Sequence, residues 1–225
     1  MKSIGTIPLK KVFRRTHDPI WQLQIGVIVI MVLQYFTNSS FLPYDKHIII
    51  GLEAFILALL AIVTSDGYGR VSYSRRMLVM VLIAVVAAIN IFSLIFLVEA
   101  LLFGDMSNTN GHDLLLNGMT IYVTNIFMFA LLYWEMDGGG PDRRVVSERQ
   151  RDFIFPQIIH RHIAKSSWLP GFMDYLYLST TNVTNFASAD TIPISHRAKL
   201  LMMIQALVSV VAVVLVAART IGVLQ

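Results

Sequence analysis

Apolar residues fall into five long runs along this chain, and the polar stretches between them are short everywhere except one. The runs are Ile20–Phe36, Ile48–Val63, Met77–Phe103, Leu114–Trp134 and Ala198–Gly222. Each approaches or exceeds the ~20 mostly apolar residues that a helix needs to cross a bilayer core. Pro19 suits the first turn of the first helix, with Asp18 as its N-cap. The fourth run stops at EMDGGGPDRR, where three consecutive glycines and a proline end any helix. A sixth stretch, 172–192, is moderately apolar, rich in hydroxyl and amide side chains, and free of Gly and Pro between Phe172 and Ile192. The pattern predicts an all-α, polytopic transmembrane helix bundle. It has five spans plus one segment that is either a re-entrant pore helix or a sixth span.

Composition agrees. Of 225 residues, 56% are hydrophobic and only 14% charged, against ~25% charged in soluble domains. The first partner of such a chain is therefore the lipid bilayer. Lys and Arg gather at the ends of the apolar runs and form no stripe that would bind nucleic acid. The absence of cysteine excludes disulfides, thiolate metal sites and thiol chemistry. The first run is too long for a signal peptide and lacks a small-residue cleavage site, so it reads as a retained span. Four regions follow: a basic cytoplasmic tail (1–19), a four-helix membrane region (20–136), a polar loop (137–171) and a C-terminal unit (172–225). Lys and Arg sort sharply among the loops. The tail, the 65–76 loop and the 137–171 loop hold fourteen of them, while the loops at 37–47 and 104–116 together hold one. The positive-inside rule places the first set in the cytoplasm of a multi-pass inner-membrane protein.

The C-terminal unit carries a resemblance. Asp174, Ser179, Thr184, Asp190, Pro193 and Ser195 keep the spacing D-x4-S-x4-T-x5-D-x2-P-x-S, which resembles the pore loop of potassium channels. The resemblance implies a short pore helix, a filter, and a pore-lining last helix. Where that family has T-V-G-Y-G, this chain has Asn185, Phe186, Ala187, Ser188 and Ala189. Turning successive carbonyls towards one axis demands backbone angles at which a side chain costs about 1–2 kcal/mol per residue. Ala187 and Ala189 therefore argue against a potassium-selective carbonyl ring. The Gly67-Tyr68-Gly69 triplet lies in a basic loop without the flanking pattern and reads as a turn. A second resemblance, to a family of small uncharacterised bacterial integral membrane proteins, rests on two further segments. These are Tyr133-Trp134-Glu135, Asp137 and Gly139-Gly140-Pro141, then Phe153 with Phe155-Pro156-Gln157, ahead of DYLYLS. It implies no activity.

Three topologies remain open for 172–192. A continuous helix gives six spans with both termini in the cytoplasm. A pore loop in the usual sense makes 137–171 an outward turret and turns the basic tail outward. A loop entering from the cytoplasmic side keeps the charges inside and inverts the pore.

Three acidic residues lie within or at the edge of apolar runs, where a charge is costly and often functional: Glu53, Glu99 and Glu135. Glu99 is near a helix end and in reach of the interface; Glu135 and Asp137 belong to a helix stop or to a cation site at a pore mouth. Asn90 and Asn125 suit bonds between helices. The hydroxyl and amide groups at 179–185 either line a hydrated path or bond within their own helix and to its neighbours. The segment DFIFPQIIHRHI looks amphipathic enough to lie at the headgroup level, and His160 and His162 lack the spacing of a helical metal pair. No paired carboxylates, nucleophile elbow or phosphate loop is present, so no enzyme, metal or cofactor is expected.

The leading expectation is a homo-oligomeric channel, tetrameric if channel-like, permeable to monovalent cations with weak selectivity. Its path would run past Thr184, Asn185 and Ser188, with Asp190 at the mouth. The alternatives are a non-conducting structural or partner-binding bundle and a small transporter in which Glu53 and Glu99 carry a proton.

Overall fold

The structure is a computed structural model and describes residues 21–36, 46–65, 73–103, 111–144, 151–160, 168–185 and 190–223. It is mostly helical. The long helices are α1 (Trp21–Phe36), α2 (Lys46–Ser65), α3 (Tyr73–Phe103) and α4 (Gly111–Met136). After α4 come a 3-10 turn (Asp137–Gly139), the short α5 (Pro141–Arg144), strand β1 (Phe153–Ile154) and the short α6 (Pro156–Ile159). The chain closes with α7 (Phe172–Thr184), strand β2 (Ile192–Pro193) and α8 (His196–Val223).

Five spans were expected; among the described residues, three helices are long and apolar enough, by length and composition, to cross a membrane: Arg76–Glu99, Leu115–Gly139 and His196–Val214. The apolar parts of α1 and α2, Gln24–Phe36 and Ile50–Leu59, are shorter.

The bundle is built around α4, against which α1, α3, α7 and α8 all pack. Half of the apolar window of α4 is buried, against 28% for the other two long helices, which places α4 at the centre. The arrangement of side chains is that of a protein dissolved in lipid. Large apolar residues such as Ile25, Ile91, Ile95, Leu200, Met203 and Leu207 face outward, while Glu53, Asn90, Asn117, Asn125, Gln205 and Ser209 are buried. Polar groups have nothing to bond to in hydrocarbon, so they turn towards one another. On α8 the buried side chains Ala198, Met202, Gln205, Ser209 and Ala212 recur at alternating intervals of four and three, the spacing of a helix seam.

The 172–192 stretch is not one helix. α7 has 13 residues, about 20 Å at ~1.5 Å per residue, short of the ~30 Å hydrocarbon core. It ends at Thr184, and by Ile192 the backbone is extended and paired with β1. Phe153 lies opposite Pro193 and Ile154 opposite Ile192 in an antiparallel ladder, extended by Ile194 N–H donating to the Asp152 carbonyl at 2.8 Å. A Pro at the ladder's end donates nothing, which an edge position tolerates.

Candidate functional site

The site is assembled at the end of α4. Beyond Met136 the backbone turns through Gly138 (φ 61°), Gly139 (φ 90°) and Gly140 (φ 99°), and the bend buries Asp137 completely. One Asp137 carboxylate oxygen, Oδ1, accepts the backbone N–H groups of Asp152 (2.7 Å) and Phe153 (3.2 Å). The other, Oδ2, accepts the Tyr175 hydroxyl at 2.6 Å and lies 3.6 Å from Arg144 Nε. Arg144 also donates to the carbonyls of Asp137, Pro170 and Trp134, and its guanidinium carbon sits 4.9 Å from the centroid of the Tyr175 ring.

Around this knot lies an aromatic shell. Tyr133 meets Phe153 edge-on at 5.2 Å, Phe153 meets Tyr175 at 6.3 Å, Phe155 meets Tyr175 at 5.2 Å and Trp168 at 6.0 Å, and Trp134 meets Phe172 at 6.2 Å. The segments behind the second resemblance, around Tyr133–Pro141 and Phe153–Gln157, thus converge on one place. The FIF part of DFIFPQIIHRHI does not lie flat as an amphipathic helix. Phe153 and Phe155 are buried in the end of the bundle, because Asp137 holds the backbone just before them.

Five helices meet at this end. Gly26 of α1 lies against Phe127 and Phe172, each 3.5 Å from where a Cβ would stand. Arg76 at the start of α3 donates to the Gly139 carbonyl at 2.8 Å and comes within 3.9 Å of Glu135 Oε1. At the start of α8, Arg197 grips Asp152 with two bonds of 2.7 Å. α4 ends here and α7 begins here, with Asp174 in its first turn accepting the Gly171 N–H at 2.7 Å. The return strand β2 comes back to the same end.

Inside the bundle, α7 is fastened by a second network. Ser179 donates to the Ile126 carbonyl (2.7 Å) and accepts from Gln205 Nε2 (2.6 Å). Gln205 Oε1 accepts the Tyr133 hydroxyl (2.7 Å) and the Asn182 amide (2.9 Å), and Asn182 also donates to the Met202 carbonyl. Asn125 continues the network to Ser209 at 2.6 Å. Thr180, Thr181 and Thr184 return their hydroxyls to carbonyls one turn back.

The residues expected at a pore therefore separate. Ser179 is buried and bonded on both sides within one chain, so it fastens α7 and lines nothing. Thr184, Asn185 and Asp190 are exposed at the inner end of α7 and on the return segment. Phe186, Ala187, Ser188 and Ala189 lie outside the described residues. Glu99 is exposed near the end of α3, and Glu53 and Glu135 are fully buried. Glu135 and Asp137 are parts of a helix stop tied to Arg76 and Arg144, which leaves Asp137 engaged on both oxygens. Among the described residues no group of three or more His, Asp or Glu is arranged to hold a metal. Reading the residues alone missed Arg144, Tyr175, Asn182 and Gln205 as organisers. Gln205 had a signal, since it is an amide at a seam position of an otherwise apolar helix.

Comparison with family models, with curated proteins and with solved structures found no match.

Proposed function

We propose that this chain is a homo-oligomeric, weakly selective, cation-permeable membrane protein whose path runs past residues 184–190, with α7 as a re-entrant helix entering from the cytoplasmic side. One observation carries the reading: α7 starts at Trp134 and Asp137, and its return strand ends beside the same residues. Its inner end, with Thr184 and Asn185 exposed, then stands within the depth of the bundle. A helix presents its partial negative charge at that end, and half-helices that stop inside a membrane protein use such ends to hold cations. The cytoplasmic side follows from charge. The start of α1 (which the basic tail precedes), Arg76, Arg144, Arg197 and Lys199 share the end at which α7 begins, so the positive-inside rule puts that end inside. The order of outer helix α4, short helix α7 and last helix α8 keeps the frame of a pore unit, and the missing glycines explain weak selectivity.

Reconstituted protein is expected to pass monovalent cations in a liposome flux assay. Asp190→Asn should lower the flux about fivefold, the effect of one charge acting through water at ~4 Å. An oligomer that passes no ion contradicts the proposal.

A second reading, a non-conducting bundle, is favoured by a different observation. The side chains of Ser179, Thr180, Thr181, Asn182 and Thr184 all find bonds within the chain, which leaves few polar groups to dress a hydrated path. Absence of flux in the same assay selects it.

A further inference from the structure

We propose that Glu53 is a proton-binding site inside the bundle, clasped by Gln34 across the seam between α1 and α2. Glu53 is fully buried, and Gln34 Nε2 donates to its Oε1 at 3.2 Å. The second carboxyl oxygen, Oε2, and the Gln34 Oε1 are both buried acceptors that no donor among the described residues reaches. The pair is thus short of hydrogens, not of oxygens.

Among the described residues no salt bridge reaches Glu53. The described residues of α1 include no Asp, Glu, Lys, Arg or His, and only Tyr35 can titrate. The charged residues of α3 stand at its ends, with Arg75 and Arg76 in the first turn and Glu99 near the last, and Tyr73 opens the helix. Lys46 and His47 of α2 itself lie in its first turn. A bare carboxylate with one amide bond in such a place is costly. A proton placed on Oε2 removes the charge and supplies the missing donor. Hydronium gives up that proton and leaves as water, so no other reactant is needed. A metal ion is a poor fit, since among the described residues no further His, Asp or Glu joins Glu53 in a ligand group.

Beside the pair, a groove of about 580 Å³ runs between α1 and α2 along Tyr35, Ile50, Ala54 and Leu57. Its exposed apolar lining, with Ile28, Val32 and Tyr35, faces the lipid side of the bundle, so the clasp is shut off from water there. This inference stands apart from the pore reading, because α7 takes no part in it.

The test is infrared difference spectroscopy of the full chain in lipid, acid minus alkaline. The wild type should show the carbonyl stretch of a protonated carboxyl that vanishes at alkaline pH, and Glu53→Gln should lack that band. Gln34→Leu should keep the band and shift it, because the amide bond to the carboxyl is gone. This second variant reads the site even if Glu53→Gln fails to fold. A band that persists in Glu53→Gln, or one that Gln34→Leu leaves in place, overturns the proposal.

Discussion

Asp137→Ala is expected to destabilise the protein by about 3–5 kcal/mol, the usual result of removing one partner from a buried ion pair. The substitution strands four donors together. The Asp152 and Phe153 amides and the Tyr175 hydroxyl lose their acceptor, and Arg144 is left buried with carbonyls alone. In a thermal melt in detergent the variant should unfold well below the wild type. Asp137→Asn should lose less, because one acceptor oxygen remains. Adding Arg144→Met to Asp137→Ala should recover part of the loss, since the unpaired charge is then gone. A loss below about 1 kcal/mol, the net worth of an ordinary hydrogen bond, would show that the knot does not hold the β1–β2 strand pair to the bundle.

Gly140→Ala should rank second, at about 2–3 kcal/mol. Gly140 has φ 99° and ψ 166°, a region that only glycine occupies without strain, and backbone strain of this kind costs about 1–3 kcal/mol. There is also little room, since a Cβ would stand 3.2 Å from both the Glu135 carbonyl and its Oε1. Gly138 is a useful contrast. Its φ of 61° and ψ of 11° fall in the left-handed helical region, where a side chain costs only about 1 kcal/mol. Unfolding measurements that place Gly138→Ala above Gly140→Ala in cost would contradict the strain argument.

Much of the helical layout was legible because lipid imposes one rule on every position: apolar outside, polar groups satisfied inside. The break after Trp134 could be read from its glycines, and helix α8 from its unbroken apolar length. What stayed hidden depends on residues far apart in the chain. Nothing local to 172–192 forbids a helix throughout, yet α7 stops at Thr184. The return segment must reach Ile154, and that demand comes from a strand about 40 residues earlier in the chain. Likewise Tyr133 and Gln205 are 72 positions apart, and neither residue type announces the other. The candidate site shows the same division. Ser179 matched a pore-loop spacing, but its role is decided by the Ile126 carbonyl and Gln205, which the spacing does not contain. Asp137 was visible as a carboxylate at a helix stop. Its burial was not, because it depends on Arg144 and Tyr175 closing over it.

The central claim is that α7 dips into the membrane from the cytoplasmic side and returns there, and cysteine labelling tests it directly. The native chain has no cysteine, so Ser147→Cys and Gln225→Cys each introduce a single thiol for an impermeant reagent on intact cells. The account predicts protection at 147 and labelling at 225, because a re-entrant α7 leaves α8 as the one crossing between the two positions. Protection at both positions would mean that 172–192 crosses the membrane, and labelling at 147 would put the polar loop outside. Either result contradicts the account.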